Sequence, residues 1–66
     1  MNIVLNGEGH DAPERATLVG LLETLELAPG QVAIEVNGRI VPRAEFPRHA
    51  LQVDDRVEIV RFVGGG

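Results

Sequence analysis

The sequence predicts an α+β fold in which one helix crosses one face of a mixed sheet of four to five strands. Three observations carry this. A single stretch, residues 17–27, has its leucines at helical spacing. The other apolar stretches are short, rich in Val and Ile, and separated by Asn-Gly or Pro signals. The chain has only 66 residues, so it forms one domain with a thin core.

Asn2-Ile3-Val4-Leu5 reads as the first strand, and Asn6-Gly7 suits a two-residue turn that needs positive φ. The return strand covers residues 8–12. It is polar, which marks a sheet edge, and Pro13 ends it. In the helix, Leu18, Leu21, Leu22 and Leu25 recur at i, i+3, i+4 and i+7, forming one face. Thr17 is placed to cap the N-terminus, and Pro29-Gly30 to end the element. Gly20 costs about 1 kcal/mol against Ala inside a helix, which close packing on the sheet would explain.

Residues 31–36 read as a central strand, Asn37-Gly38 as a second tight turn, and residues 39–41 as a short strand stopped by Pro42. Residues 43–52 contain Pro47 and are expected to form a loop or a short helical turn. Asp54-Asp55 makes the last turn, and residues 56–63 form the final strand. This order is that of the β-grasp fold, in which the first and last strands lie side by side and parallel in the centre. The domain is expected to span residues 1–63, followed by a flexible Gly64-Gly65-Gly66 tail.

Composition excludes several functions. There is no Cys, so thiolate nucleophiles, disulfides and Cys-based metal sites are absent. The six basic residues are all Arg and scattered, and the net charge is −4, which does not suit nucleic acid. No segment is long enough to span a bilayer and no signal pattern is present, so a cytoplasmic location and no membrane partner are expected. His10 and His49 stand apart without a motif and read as surface residues. No catalytic or metal-binding set is expected. Arg39 and Arg43 read equally as contacts for an acidic partner or as charges that keep an edge soluble.

The last strand and the tail hold the most information. Alternation puts Val57, Ile59, Arg61 and Val63 on one face and Arg56, Glu58, Val60 and Phe62 on the other. The helix covers only one of these faces. With Val57 and Ile59 turned to the helix, Val60 and Phe62 form an exposed apolar pair suited to docking a partner. The alternative is that Phe62 folds over the sheet edge or packs on Phe46. Three extended glycines reach about 10 Å and pass where no Cβ fits. A frayed end without a role is the other reading of the tail.

A Gly66 carboxylate is a poor electrophile until an adenylyl group from ATP makes it a mixed anhydride. Attack by a persulfide sulfur and later cleavage would leave a thiocarboxylate, a stronger nucleophile. The chain has no Lys, so no side-chain ammonium would capture the activated carbonyl.

Two stretches resemble the ubiquitin-like sulfur carriers of thiamine biosynthesis. They are Val36-Asn37-Gly38-Arg39-Ile40-Val41-Pro42-Arg43 and Asp55-Arg56-Val57-Glu58-Ile59-Val60-Arg61-Phe62-Val63-Gly64-Gly65-Gly66. Asn6-Gly7 and the 17–27 helix also sit where that family has them. The resemblance implies a β-grasp fold and a carrier with no catalytic residues and no bound cofactor, monomeric when free. It implies adenylation of Gly66 by an ATP-dependent activating enzyme, conversion to a thiocarboxylate by a persulfide donor protein, and sulfur delivery to thiazole synthase. Gly64, Gly65 and Gly66 would enter the partners' active sites, and Val60 and Phe62 would meet partner surfaces. Asp54 departs from the family, which often has Gly there. Asp tolerates the left-handed backbone better than most residues, so the turn is expected to survive. A carrier for molybdopterin or tRNA thiolation, or a β-grasp interaction module with an inert tail, are the competing readings.

Overall fold

The computed structural model describes residues 1–62. Its strands are β1 (Asn2–Leu5), β2 (Glu8–Asp11), β3 (Val32–Val36), β4 (Arg39–Ile40) and β5 (Arg56–Arg61), with one helix, α1 (Leu18–Thr24), between β2 and β3. They form one five-stranded sheet in the order β2-β1-β5-β3-β4. β1 and β5 are parallel, and the other pairings are antiparallel. This is the β-grasp arrangement that the order of elements predicts. The last strand is central, paired on one side to the first strand and on the other to the third.

Both Asn-Gly pairs make the predicted turns. Asn6 and Gly7 have φ of 49° and 83°, and Asn37 and Gly38 have 53° and 85°. Positive φ at both central residues matches the right-handed twist of the strands they join. Asp54 adopts φ 68°, so its turn forms without glycine. Asp55 Oδ2 accepts the backbone N–H of Gln52 at 2.8 Å, which fastens that turn. Pro42 and Pro29 each lead into a short 3-10 turn, Arg43–Glu45 and Pro29–Gln31.

The helix is shorter than its leucine pattern suggests. Thr17 caps it as expected, its Oγ1 accepting the N–H of Gly20 at 3.2 Å. It ends at Leu25, well before Pro29, because Glu26 turns left-handed at φ 59°. Glu26 N–H then donates to Glu23 C=O and Leu27 N–H to Leu22 C=O, closing the Schellman pattern that usually uses glycine. A helix of this length is marginal alone, so its packing holds it. Leu18, Leu21 and Leu22 are fully buried, against Ile3, Val32, Ile34, Val57 and Phe46. Close packing does not account for Gly20. A Cβ there would meet only Thr17 Oγ1 at 3.7 Å and Ala16 Cβ at 4.0 Å, which are ordinary contacts.

Residues 43–52 do more than connect. Phe46 is the largest fully buried side chain, and Leu51 is buried too. Leu18 N–H donates to His49 C=O and Leu51 N–H to Ala16 C=O, which ties this segment to the start of the helix. The loop thereby adds Phe46 and Leu51 to the core beside the start of the helix.

Candidate docking face and tail exit

β5 leads to the glycine tail, and its burial pattern divides it by face. Val57 is fully buried and Ile59 half-buried on the helix side. On the other side Glu58, Val60 and Phe62 are exposed. Val60 is 61% exposed and Phe62 55%, so both residues predicted for docking stand in the open. The alternative reading has Phe62 folding over the sheet edge or packing on Phe46; Phe62 keeps just over half of its surface exposed while sharing a groove with Phe46. It flanks a shallow groove of about 270 Å³ that has Phe46 and Pro42 on its wall. Val63, Gly64, Gly65 and Gly66 lie outside the described residues, and so do the expectations placed on them.

The face is wider than the two residues the sequence singles out. Ile40 is 76% exposed, the most exposed large apolar side chain among the described residues. It pairs with Glu35 of β3, which in turn pairs with Glu58 of β5. Ile40, Val60 and Ala33 line a small cleft of about 90 Å³ together with Glu35 and Glu58. The apolar rim thus encloses two carboxylates directly opposite each other. Like charges in that position destabilise a sheet, so this face is not arranged for stability alone. Alternation in residues 31–36 places Ala33 and Glu35 outward. The two-residue β4 is too short for any pattern to place Ile40.

Side chains from both Asn-Gly turns grip β5 where it begins and where β1 stops. Asn37 Oδ1 accepts the N–H of Arg56 at 2.9 Å, and its Nδ2 donates to Asp55 Oδ1 at 2.9 Å. Asn6 Oδ1 accepts the N–H of Ile59 at 2.7 Å. The asparagines therefore shape their turns and also orient the strand that carries the tail. Turn chemistry predicts only the first of these roles.

The remaining polar residues form no second site. Arg43 Nε donates to Pro29 C=O at 3.1 Å, which gives it a structural contact. Arg39, Glu45, His49 and Asp55 line an open groove of about 510 Å³. Among the described residues no three His, Cys, Asp or Glu side chains come close enough to hold a metal. No described helix is long and apolar enough to cross a membrane. The Met1 ammonium contacts Glu14 at 2.9 Å and Asp11 at 3.1 Å, and it donates to Ala12 C=O at 2.6 Å. The hydrogen bonds it donates to Glu14 and then Asp11 raise its pKa above the usual 8.0.

Residues 3–66 match the ThiS family. Over its whole length the chain is 48% identical to a thiazole synthase of Magnetococcus marinus, but spans only 20% of that protein. It is 29% identical to the sulfur carrier protein ThiS of Escherichia coli, with both chains covered completely. The crystal structure of the thiamine biosynthesis protein ThiS from Geobacter metallireducens superposes with a TM-score of 0.84 at 32% identity, again covering both chains fully.

Proposed function

The chain belongs to the ThiS family of sulfur carriers for thiamine biosynthesis, and we propose that it carries sulfur as a thiocarboxylate on Gly66 and delivers it to a thiazole synthase. The observation that supports this best is the placement of β5. It is the central strand, held on both sides, and it runs toward the Gly64-Gly65-Gly66 tail with Val60 and Phe62 exposed beside the exit.

In this reading an ATP-dependent enzyme transfers AMP to the Gly66 carboxylate and releases pyrophosphate. The terminal sulfur of a donor protein's persulfide attacks the acyl carbon, and AMP leaves. The acyl disulfide that results is cleaved by a second thiol, which forms a disulfide with the donor sulfur and frees the thiocarboxylate. The carrier supplies no acid, base or metal to these steps. Its part is to present the tail. Gly64, Gly65 and Gly66 enter the partner site, and Val60, Phe62 and Ile40 seat the domain against the partner. The relative whose thiazole synthase chain includes a segment matching the whole carrier supports thiazole synthase as the acceptor.

The test is the intact mass of the protein after incubation with the activating enzyme, ATP and a persulfide donor. Exchange of one oxygen for one sulfur, lost when Gly66 is deleted, is the expected result. An unchanged mass while the activating enzyme modifies another family member would refute the proposal. A host strain that loses this gene and still grows without added thiazole would point instead to another acceptor.

A further inference from the structure

The ladder between β1 and β5 ends abruptly. Val4 N–H donates to Asp55 C=O at 2.9 Å and Asn6 N–H to Val57 C=O at 2.8 Å. The next link comes from a side chain, with Ile59 N–H donating to Asn6 Oδ1 at 2.7 Å. The main chain then reverses through Gly7 into β2, and register pairing stops at Leu5 with Val57. β5 continues to Arg61, and Phe62 N–H still donates to Gln31 C=O on the β3 side. Successive backbone groups of a strand point to opposite edges. The C=O of Ile59 and the N–H of Arg61 therefore point to the edge that β1 has left. Neither has a backbone or side-chain partner among the described residues.

We propose that this open edge of β5, from Ile59 to Phe62, is a docking edge that takes up an extended segment of thiazole synthase as an added strand. The proposal rests on the function proposed above and specifies how the partner meets the carrier. Unpaired strand edges are templates for another chain, and proteins normally cover or blunt them. Here the edge is left open immediately before the tail. The Asn6 side chain ends the internal ladder one link early and satisfies Ile59, so the free positions begin just beyond it. Thiazole synthase is the chosen occupant because a relative carries a domain matching this chain within a thiazole synthase. The chemistry of the added strand follows from the faces of β5. An acidic side chain opposite Arg61 and an apolar one opposite Val60 complete favourable cross-strand pairs.

The experiment follows amide hydrogen exchange by NMR in the free carrier and in its complex with the thiazole synthase of the same host. Arg61 N–H should exchange about tenfold more slowly in the complex or slower still, whereas Phe62 N–H, already bonded to Gln31, should change little. A second arm uses the chain made by chemical synthesis with an N-methyl group on Arg61. That removes the edge donor and leaves the β3 ladder intact, so binding should weaken about 3- to 10-fold with an unchanged circular dichroism spectrum. A complex in which Arg61 exchanges as in the free protein, or which the N-methyl chain forms equally well, overturns the edge and leaves the proposed function standing. Failure of the two proteins to associate at all overturns both.

Discussion

If Phe62 docks a partner as proposed, the two phenylalanines separate folding from docking, and replacing each by alanine measures the difference. Phe46 is 1% exposed and Phe62 55%. Truncating a buried phenylalanine costs about 3–5 kcal/mol. The whole domain, at about 0.05–0.15 kcal/mol for each of 66 residues, has about 3–10 kcal/mol to lose. Phe46→Ala should therefore unfold much of the population. A phenylalanine presents about 200 Å². The covered share of Phe62 is on the order of 90 Å², and at about 25 cal/mol per Å² its loss costs about 2 kcal/mol at most. The exposed share, on the order of 110 Å², is worth about 2.5–3 kcal/mol if a partner covers it, or about 100-fold in Kd. Urea unfolding followed by circular dichroism suits a chain with no Trp or Tyr, and calorimetry with thiazole synthase reads the affinity. Phe62→Ala should fold with a modest loss and bind at least tenfold more weakly. A stability loss equal to that of Phe46→Ala would make Phe62 a core residue. Unchanged binding would remove it from the docking face.

Three other changes test the packing and electrostatics. Glu26→Gly places glycine at the left-handed residue that ends the helix, and should stabilise by about 0.5–1 kcal/mol, seen as a higher melting temperature. A lower one would show that the Glu26 side chain contributes to the fold. Glu58→Gln removes the repulsion with Glu35 and should stabilise by about 0.2–1 kcal/mol. That gain should shrink in 1 M salt, and a gain that salt leaves unaltered would rule out a charge effect. The Met1 ammonium has a raised pKa, so its contribution is complete below pH 8.0 and is lost as pH rises through the folded value. The chain has no Cys, Tyr or Lys to titrate in that window. The melting temperature should therefore fall as pH rises above 8, and Glu14→Gln with Asp11→Asn should flatten that fall. An equal fall in the double variant would exclude these contacts as its source.

Patterns that repeat within a few residues determined much of this protein. The leucine spacing placed the buried face of the helix, and the Asn-Gly pairs placed two turns with both residues at positive φ. Alternation in β5 separated Val57 and Ile59 from Val60 and Phe62. These features are legible because backbone geometry imposes its period on neighbouring side chains. The tertiary structure decided what depends on residues far apart in the chain. The leucine pattern runs on to Leu25 and Leu27, but the helix stops early because the left-handed Glu26 closes it by hydrogen bonds and turns Leu27 back toward Leu22. Ile40 joins the exposed apolar face through its place across the sheet from Glu35. Asn6 reaches Ile59 across 53 positions. A local pattern cannot encode that contact, because it exists only once parallel pairing has brought the first strand beside the last.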